Sequence, residues 1–124
     1  MDTLLIYISS ILITIWGIAH IIPTKNIVRG FGEINRDNRL IIMMEWISEG
    51  IFLIFIGLLN LFIILFGDLH SQEALIVRLI SIFFLIIMSI LSLFTGARTK
   101  IIPMRICPAV KTFCALLIIV GSII

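Results

Sequence analysis

Apolar side chains fill almost every position from Leu40 to Phe66, and three similar stretches, 4–22, 74–96 and 109–124, take up most of the remaining chain. A helix rising ~1.5 Å per residue needs about 20 such residues to cross a ~30 Å hydrocarbon core. Inside that core no water satisfies a backbone N–H or C=O, so a segment of this length and composition is stable there only as a helix that pairs its own backbone. Composition agrees. The chain has 124 residues, 61% hydrophobic and 13% charged, with a mean hydropathy of +1.30, against about 45–50% and about 25% in a soluble domain. The expectation is one all-α domain, an integral membrane four-helix bundle with spans at 4–22, 40–66, 74–96 and 109–124. A net charge of +2 points to no nucleic-acid partner.

The punctuation of these spans is readable. Pro23 ends the first, because proline lacks an N–H and restricts the residue before it. Asp37 or Asn38 is a cap candidate for the second, and Gly67-Asp68 closes it. Ser71 is a cap for the third, with Glu73 in its first turn, and Pro108 stands where proline is tolerated at the start of the fourth. Met1-Asp2-Thr3 offers no positive region, and His20-Ile21-Ile22-Pro23 no small-residue cleavage site, so the first stretch reads as a mature span and not a signal peptide.

Basic residues orient the spans. The 23–39 connection carries Lys25, Arg29, Arg36 and Arg39; the 97–108 connection carries Arg98, Lys100 and Arg105, with Lys111 just beyond. The connection between the second and third spans has none, so of the 9 Lys and Arg residues only Arg78 lies toward the opposite side. Under the positive-inside rule the loops 23–39 and 97–108 are cytoplasmic and both termini are on the non-cytoplasmic side. Gly17-Ile18-Ala19-His20-Ile21-Ile22-Pro23-Thr24-Lys25 and Gly96-Ala97-Arg98-Thr99-Lys100-Ile101-Ile102-Pro103-Met104-Arg105 resemble each other where a span enters each cytoplasmic loop. Two repeated helix–loop–helix units would produce this, as would the recurrence of apolar-Pro-basic strings at span ends.

Glu45 and Glu49 are the functional clue. Four residues apart, they share one face of the second span. A carboxylate at the centre of a membrane helix costs roughly 2.5–3.5 kcal/mol, so such residues turn inward toward partners or a wet cavity. Given the orientation, His20, Glu45, Glu49, Arg98 and Lys111 all fall in the cytoplasmic half, and one polar cluster is the economical arrangement. Two close carboxylates in a dry place share a proton unless Arg98, Lys111 or a protonated His20 supplies a counter-charge. If hydrocarbon begins near Trp46, Glu45 sits at headgroup level and pairs with Arg98 or a loop arginine, whereas Glu49, one turn deeper, is the stronger site residue. Trp16 and Trp46 flank the cluster as interface or core aromatics, or as walls of an apolar pocket.

The other polar positions read as structural. Cys107 and Cys114 lack Cys-x-x-Cys spacing, and Cys114 lies in an apolar run as a small hydrophobe. The Glu-x-x-His spacing of carboxylate di-iron bundles is missing, so no metal and no cofactor is expected. Gly50 and Gly57, with Ser81, Ser89, Ser92 and Gly96, let helices approach closely. Arg78 is expected to snorkel or to pair with Asp68 or Glu73. In the long first loop, Gly30-Phe31-Gly32 reads as a turn with Phe31 dipping into the interface, the loop either capping the site or binding anionic lipid.

The layout of short spans, with Gly17-Ile18-Ala19-His20 closing the first and Glu49-Gly50 and Gly57 in the second, resembles the DoxX-like superfamily of small four-helix bacterial membrane proteins. The resemblance implies the fold and a bacterial inner-membrane setting, in a group where some members accompany quinone-linked redox complexes. Three functions follow as expectations. The first is a carboxylate-lined site that binds a small lipophilic or quinone-like ligand, or an accessory subunit with membrane lipids, a homo-oligomer or a membrane complex as partners. The second is a proton-coupled small transporter or channel component. The third is an intramembrane isomerase-type enzyme.

Overall fold

The computed structural model describes residues 2–124; Met1 lies outside the described residues. The described chain forms helices α1 (Asp2–Ile21), α2 (Thr24–Arg29), α3 (Arg36–Phe66), α4 (Gln72–Phe94) and α5 (Ile102–Ile123), with a short 3-10 turn at Gly96–Arg98 between the last two. The 4 helices α1, α3, α4 (extended through the 3-10 turn) and α5 are long and apolar enough to cross a membrane, the architecture of a multi-pass membrane protein. Their outward faces carry Ile15, Phe62, Leu79, Phe83, Leu91 and Leu116, each at least half exposed. Apolar surface on this scale is tolerated in lipid and not in water.

Three element boundaries differ from the sequence expectation. The cap of α3 is Asn35, whose side chain accepts the Asn38 N–H at 2.7 Å, and not Asp37 or Asn38, so α3 begins earlier and reaches 31 residues. At ~1.5 Å per residue that is about 46 Å, longer than a ~30 Å hydrocarbon core, so its first turns can project beyond it. The fourth long helix starts at Ile102, with Pro103 in its first turn, and Pro108 lies inside it. Pro103 takes the position where proline costs little. Pro108 lacks the N–H that would bond the Met104 carbonyl; its own carbonyl accepts the Ser89 hydroxyl of α4 at 2.8 Å, a tie between the two helices. Finally, the long first loop is partly helical: α2 packs on α3 and buries Thr24 and Val28. Gly32 makes the turn that follows at φ 77°, a left-handed conformation that glycine adopts without a Cβ clash. Ser71 caps α4 as expected, accepting the Ala74 N–H at 3.1 Å.

Close packing runs α3–α1–α5–α4, the contacts between α3 and α4 being much fewer. The α1–α3 crossing rests on glycines: a Cβ at Gly17 would stand 2.6 Å from the Gly50 carbonyl oxygen, and one at Gly57 2.7 Å from that of Ser10. Real Cβ atoms do not come so close, so these glycines permit the backbone approach, as small residues do in membrane bundles. Ile13, Leu53, Ile56, Leu85, Cys114, Ala115 and Ile118 form the core, drawn from all four long helices. A minor tie between α3 and α4 is the Asn60 amide, donating to Ser81 Oγ at 2.7 Å.

The glycine crossing also sets the site. A Cβ at Gly50 would meet Ile21 Cγ1 at 2.6 Å and His20 Cβ at 3.2 Å. The bare backbone of α3 therefore lets the last turn of α1 settle beside the residue that precedes Gly50, which is Glu49.

Candidate functional site

At the end of the bundle where α1 ends and α5 begins, polar side chains from each long helix converge. Lys111 of α5 is fully buried, at 0% exposure. It donates to Glu49 Oε1 of α3 and, at 2.8 Å, to Ser92 Oγ of α4. A buried ammonium is stable only with a counter-charge and filled donor positions, and these two partners supply both. Glu49 keeps 29% of its side chain exposed and lies 3.6 Å, through Oε2, from His20 Nε2 of α1. Cys107 Sγ, one turn before Lys111 on α5, points at Glu49 Oε1 at 3.9 Å.

Two indoles hold this cluster in place. Trp46 donates its Nε1–H to the His20 carbonyl and stacks on the His20 ring at a centroid distance of 4.9 Å and an interplanar angle of 19°. Trp16 meets the same ring edge-on at 6.1 Å, and its Nε1–H points to Cys107 Sγ at 3.4 Å. The imidazole is thereby held between the face of Trp46 and an edge contact with Trp16, with its Nε2 turned to Glu49. Beside the cluster lies a cavity of about 250 Å³ walled by Trp16, Ala19, His20, Trp46, Ile102, Pro103 and Ile106. Ala19, Ile102, Pro103 and Ile106 are exposed, so the cavity opens on the outer face between α1 and α5, and His20 is shared between the cavity and the ion-pair cluster.

Of the residues expected at the site, the structure brings together His20, Glu49, Lys111, Trp16 and Trp46. It does not bring in Glu45 or Arg98. Both are exposed, and among the described residues neither makes an ion pair. Glu45 lies one turn, about 6 Å, nearer the start of α3 than Glu49 and is exposed there, while Glu49 meets His20 and Lys111. The carboxylates therefore do not form a proton-sharing pair, and Lys111 is the counter-charge to Glu49. Arg78 does not pair with Asp68 or Glu73. It is buried near the other end, where Nη1 donates to the Leu69 carbonyl at 3.0 Å.

Sequence reasoning missed Cys107 and Ser92. Cys107 and Lys111 are four residues apart and so share a helix face, but beginning the last helix after Pro108 put Cys107 in a loop. Ser92 lay in a serine stripe that reads as packing, and only the position of Lys111 turns it into an acceptor.

No family model matches this chain, and no significant match to it was found among the curated proteins or the solved structures.

Proposed function

We propose that this is a small multi-pass membrane protein whose buried His20–Glu49–Lys111 cluster and adjoining aromatic cavity bind a small lipophilic molecule with a polar, ring-shaped head, of the quinone class. The observation that carries this reading is the sharing of His20 between an apolar cavity and a charged, hydrogen-bonded cluster. Ligand sites combine apolar walls with a few convergent polar groups in this way. A cavity of about 250 Å³ is below the roughly 300–1,000 Å³ of sites that enclose a whole drug-sized ligand. It suits one ring, with an apolar tail left along the exposed surface of α5. Trp16 and Trp46 offer faces for ring stacking, and His20 and Glu49 offer polar atoms to a carbonyl or hydroxyl at the ring edge.

The site belongs to the cytoplasmic half in this reading. Lys25, Arg29, Arg36, Arg39, Arg98, Lys100 and Arg105 are all exposed in α2, the first turns of α3 and α5 and the α4–α5 connection, and the positive-inside rule makes such an end cytoplasmic. A cysteine placed at Asn35 or at His70, in a background where Cys107 and Cys114 are serine, tests the orientation with a membrane-impermeant maleimide on intact cells: the second position labels and the first does not.

Binding is tested by titrating the purified protein in lipid nanodiscs with a short-tailed benzoquinone and following tryptophan fluorescence. Saturable quenching is expected, weakened at least tenfold in Glu49→Gln. Quenching that rises linearly without saturation, and is unchanged in Glu49→Gln, would sink the proposal.

A further inference from the structure

The same end of the bundle holds a second chemistry that ligand binding does not need. A ring nitrogen of His20, a Glu49 carboxylate oxygen and Cys107 Sγ all lie within 4.8 Å of one another, and they come from three different helices, α1, α3 and α5. We propose that these three side chains form a binding site for a divalent transition-metal ion of the zinc class.

The geometry is close to what such an ion requires. Zinc binds nitrogen and carboxylate oxygen at about 2.0–2.2 Å and thiolate sulfur at about 2.3 Å, so in a tetrahedral site neighbouring ligand atoms stand about 3.4–3.6 Å apart. His20 Nε2 lies 3.6 Å from Glu49 Oε2 and Cys107 Sγ 3.9 Å from the other oxygen, Oε1, with one donor atom from each of the three residues within 4.8 Å of the others. Side-chain adjustments of about 1 Å bring one carboxylate oxygen, the imidazole and the sulfur to that spacing. The donor set is also selective. One imidazole, one carboxylate and one thiolate suit zinc, cobalt(II) or iron(II), whereas calcium and magnesium demand more oxygens than the site offers.

The surroundings orient the ligands as the outer shell of a metal site does. Trp46 clamps the His20 ring and backbone, the Trp16 N–H points at the sulfur, and Lys111 holds the carboxylate. Three protein ligands with an open fourth position is the pattern of metal sites that bind or activate a further molecule. The sequence expectation of no metal rested on the missing Glu-x-x-His spacing. That motif reports two ligands on one helix, and here each of three helices supplies one. On binding, the Cys107 thiol releases its proton to solvent and a metal–sulfur bond forms, with no change of oxidation state.

The test is a cobalt(II) chloride titration of the purified protein, reduced and stripped with a chelator. The expected result is a thiolate-to-cobalt charge-transfer band in the near ultraviolet that saturates at one ion per chain, disappears on adding one equivalent of zinc, and is retained in Cys114→Ser. Cys107→Ser loses the band, and His20→Gln weakens binding at least tenfold, with helical circular dichroism unchanged in both. No saturable band in the wild-type protein, or a band that survives Cys107→Ser, overturns the proposal. The benzoquinone titration of the metal-free protein is read separately, so failure of either experiment leaves the other standing.

Discussion

Replacing Lys111 tests the central electrostatic claim most directly. Its side chain is fully buried and meets Glu49 and Ser92. Lys111→Met keeps most of the side-chain volume and removes the charge, leaving Glu49 as an uncompensated carboxylate. Breaking a buried ion pair from one side costs about 3–5 kcal/mol. Because Glu49 is 29% exposed, water screens part of the orphaned charge, which puts the Lys111→Met loss at the lower end, about 3 kcal/mol. Glu49→Gln strands an ammonium that has no exposure at all, and its loss is at least as large. The double variant Glu49→Gln/Lys111→Met removes both charges together, and an apolar replacement of a buried pair is often close to neutral. It should therefore lose no more than either single variant, a non-additivity on the order of 3 kcal/mol. The measurement is reversible unfolding by dodecyl sulfate in mixed micelles, followed by far-ultraviolet circular dichroism for all four proteins. Losses that simply add in the double variant, to within about 0.5 kcal/mol, would show that the two residues act independently and would refute the reasoning.

Gly50→Ala forces a Cβ against Ile21 and the Gly17 carbonyl and should destabilise by about 1–3 kcal/mol in the same unfolding assay, while also weakening cobalt binding because α1 carries His20. Trp46→Phe keeps the ring stack on His20 but removes the indole donor to its carbonyl, an expected loss of about 1 kcal/mol. Glu45→Gln and Arg98→Gln, both exposed and outside the cluster, should stay within about 0.5 kcal/mol of wild type; a large loss in either would return Glu45 to the site. Asn60→Ala removes the hydrogen bond that the side-chain amide donates to Ser81 between α3 and α4 and should cost about 0.6–1.7 kcal/mol, with benzoquinone quenching unaffected.

Much of the fold was legible because hydrophobic length is a one-dimensional property. The extent of apolar sequence around Leu40–Phe66 announces a helix whatever it packs against, and Ser71 announces its cap through purely local chemistry. The misread boundaries depend on non-local partners. Pro108 looks like a helix start when only its missing N–H is considered, yet α5 begins at Ile102 and carries Pro108 inside it, packed against α4. The choice of Asn35 over Asp37 as cap is a matter of backbone angle at one residue, which composition does not encode. The site follows the same division. His20, Glu49 and Lys111 were visible as polar residues at a common depth, since depth follows from counting along each helix. Which helix each residue would meet was not, and it is packing that leaves Glu45 exposed and brings Cys107, inside α5, to Glu49.

By itself, then, the sequence determined the helical class, the number of long apolar segments and the concentration of basic residues at one end, because each follows from backbone hydrogen bonding and from charge summed along the chain. Tertiary structure decided which polar residues meet. Bare glycine backbone at Gly17, Gly50 and Gly57 lets α1 lie against α3, and that approach sets His20 beside Glu49 while α5 brings Lys111 and Cys107 to the same point. The reason is geometric. A separation of about 4 Å between side chains on three helices depends on where and at what rotation the helices cross, and those quantities arise only when the helices pack together.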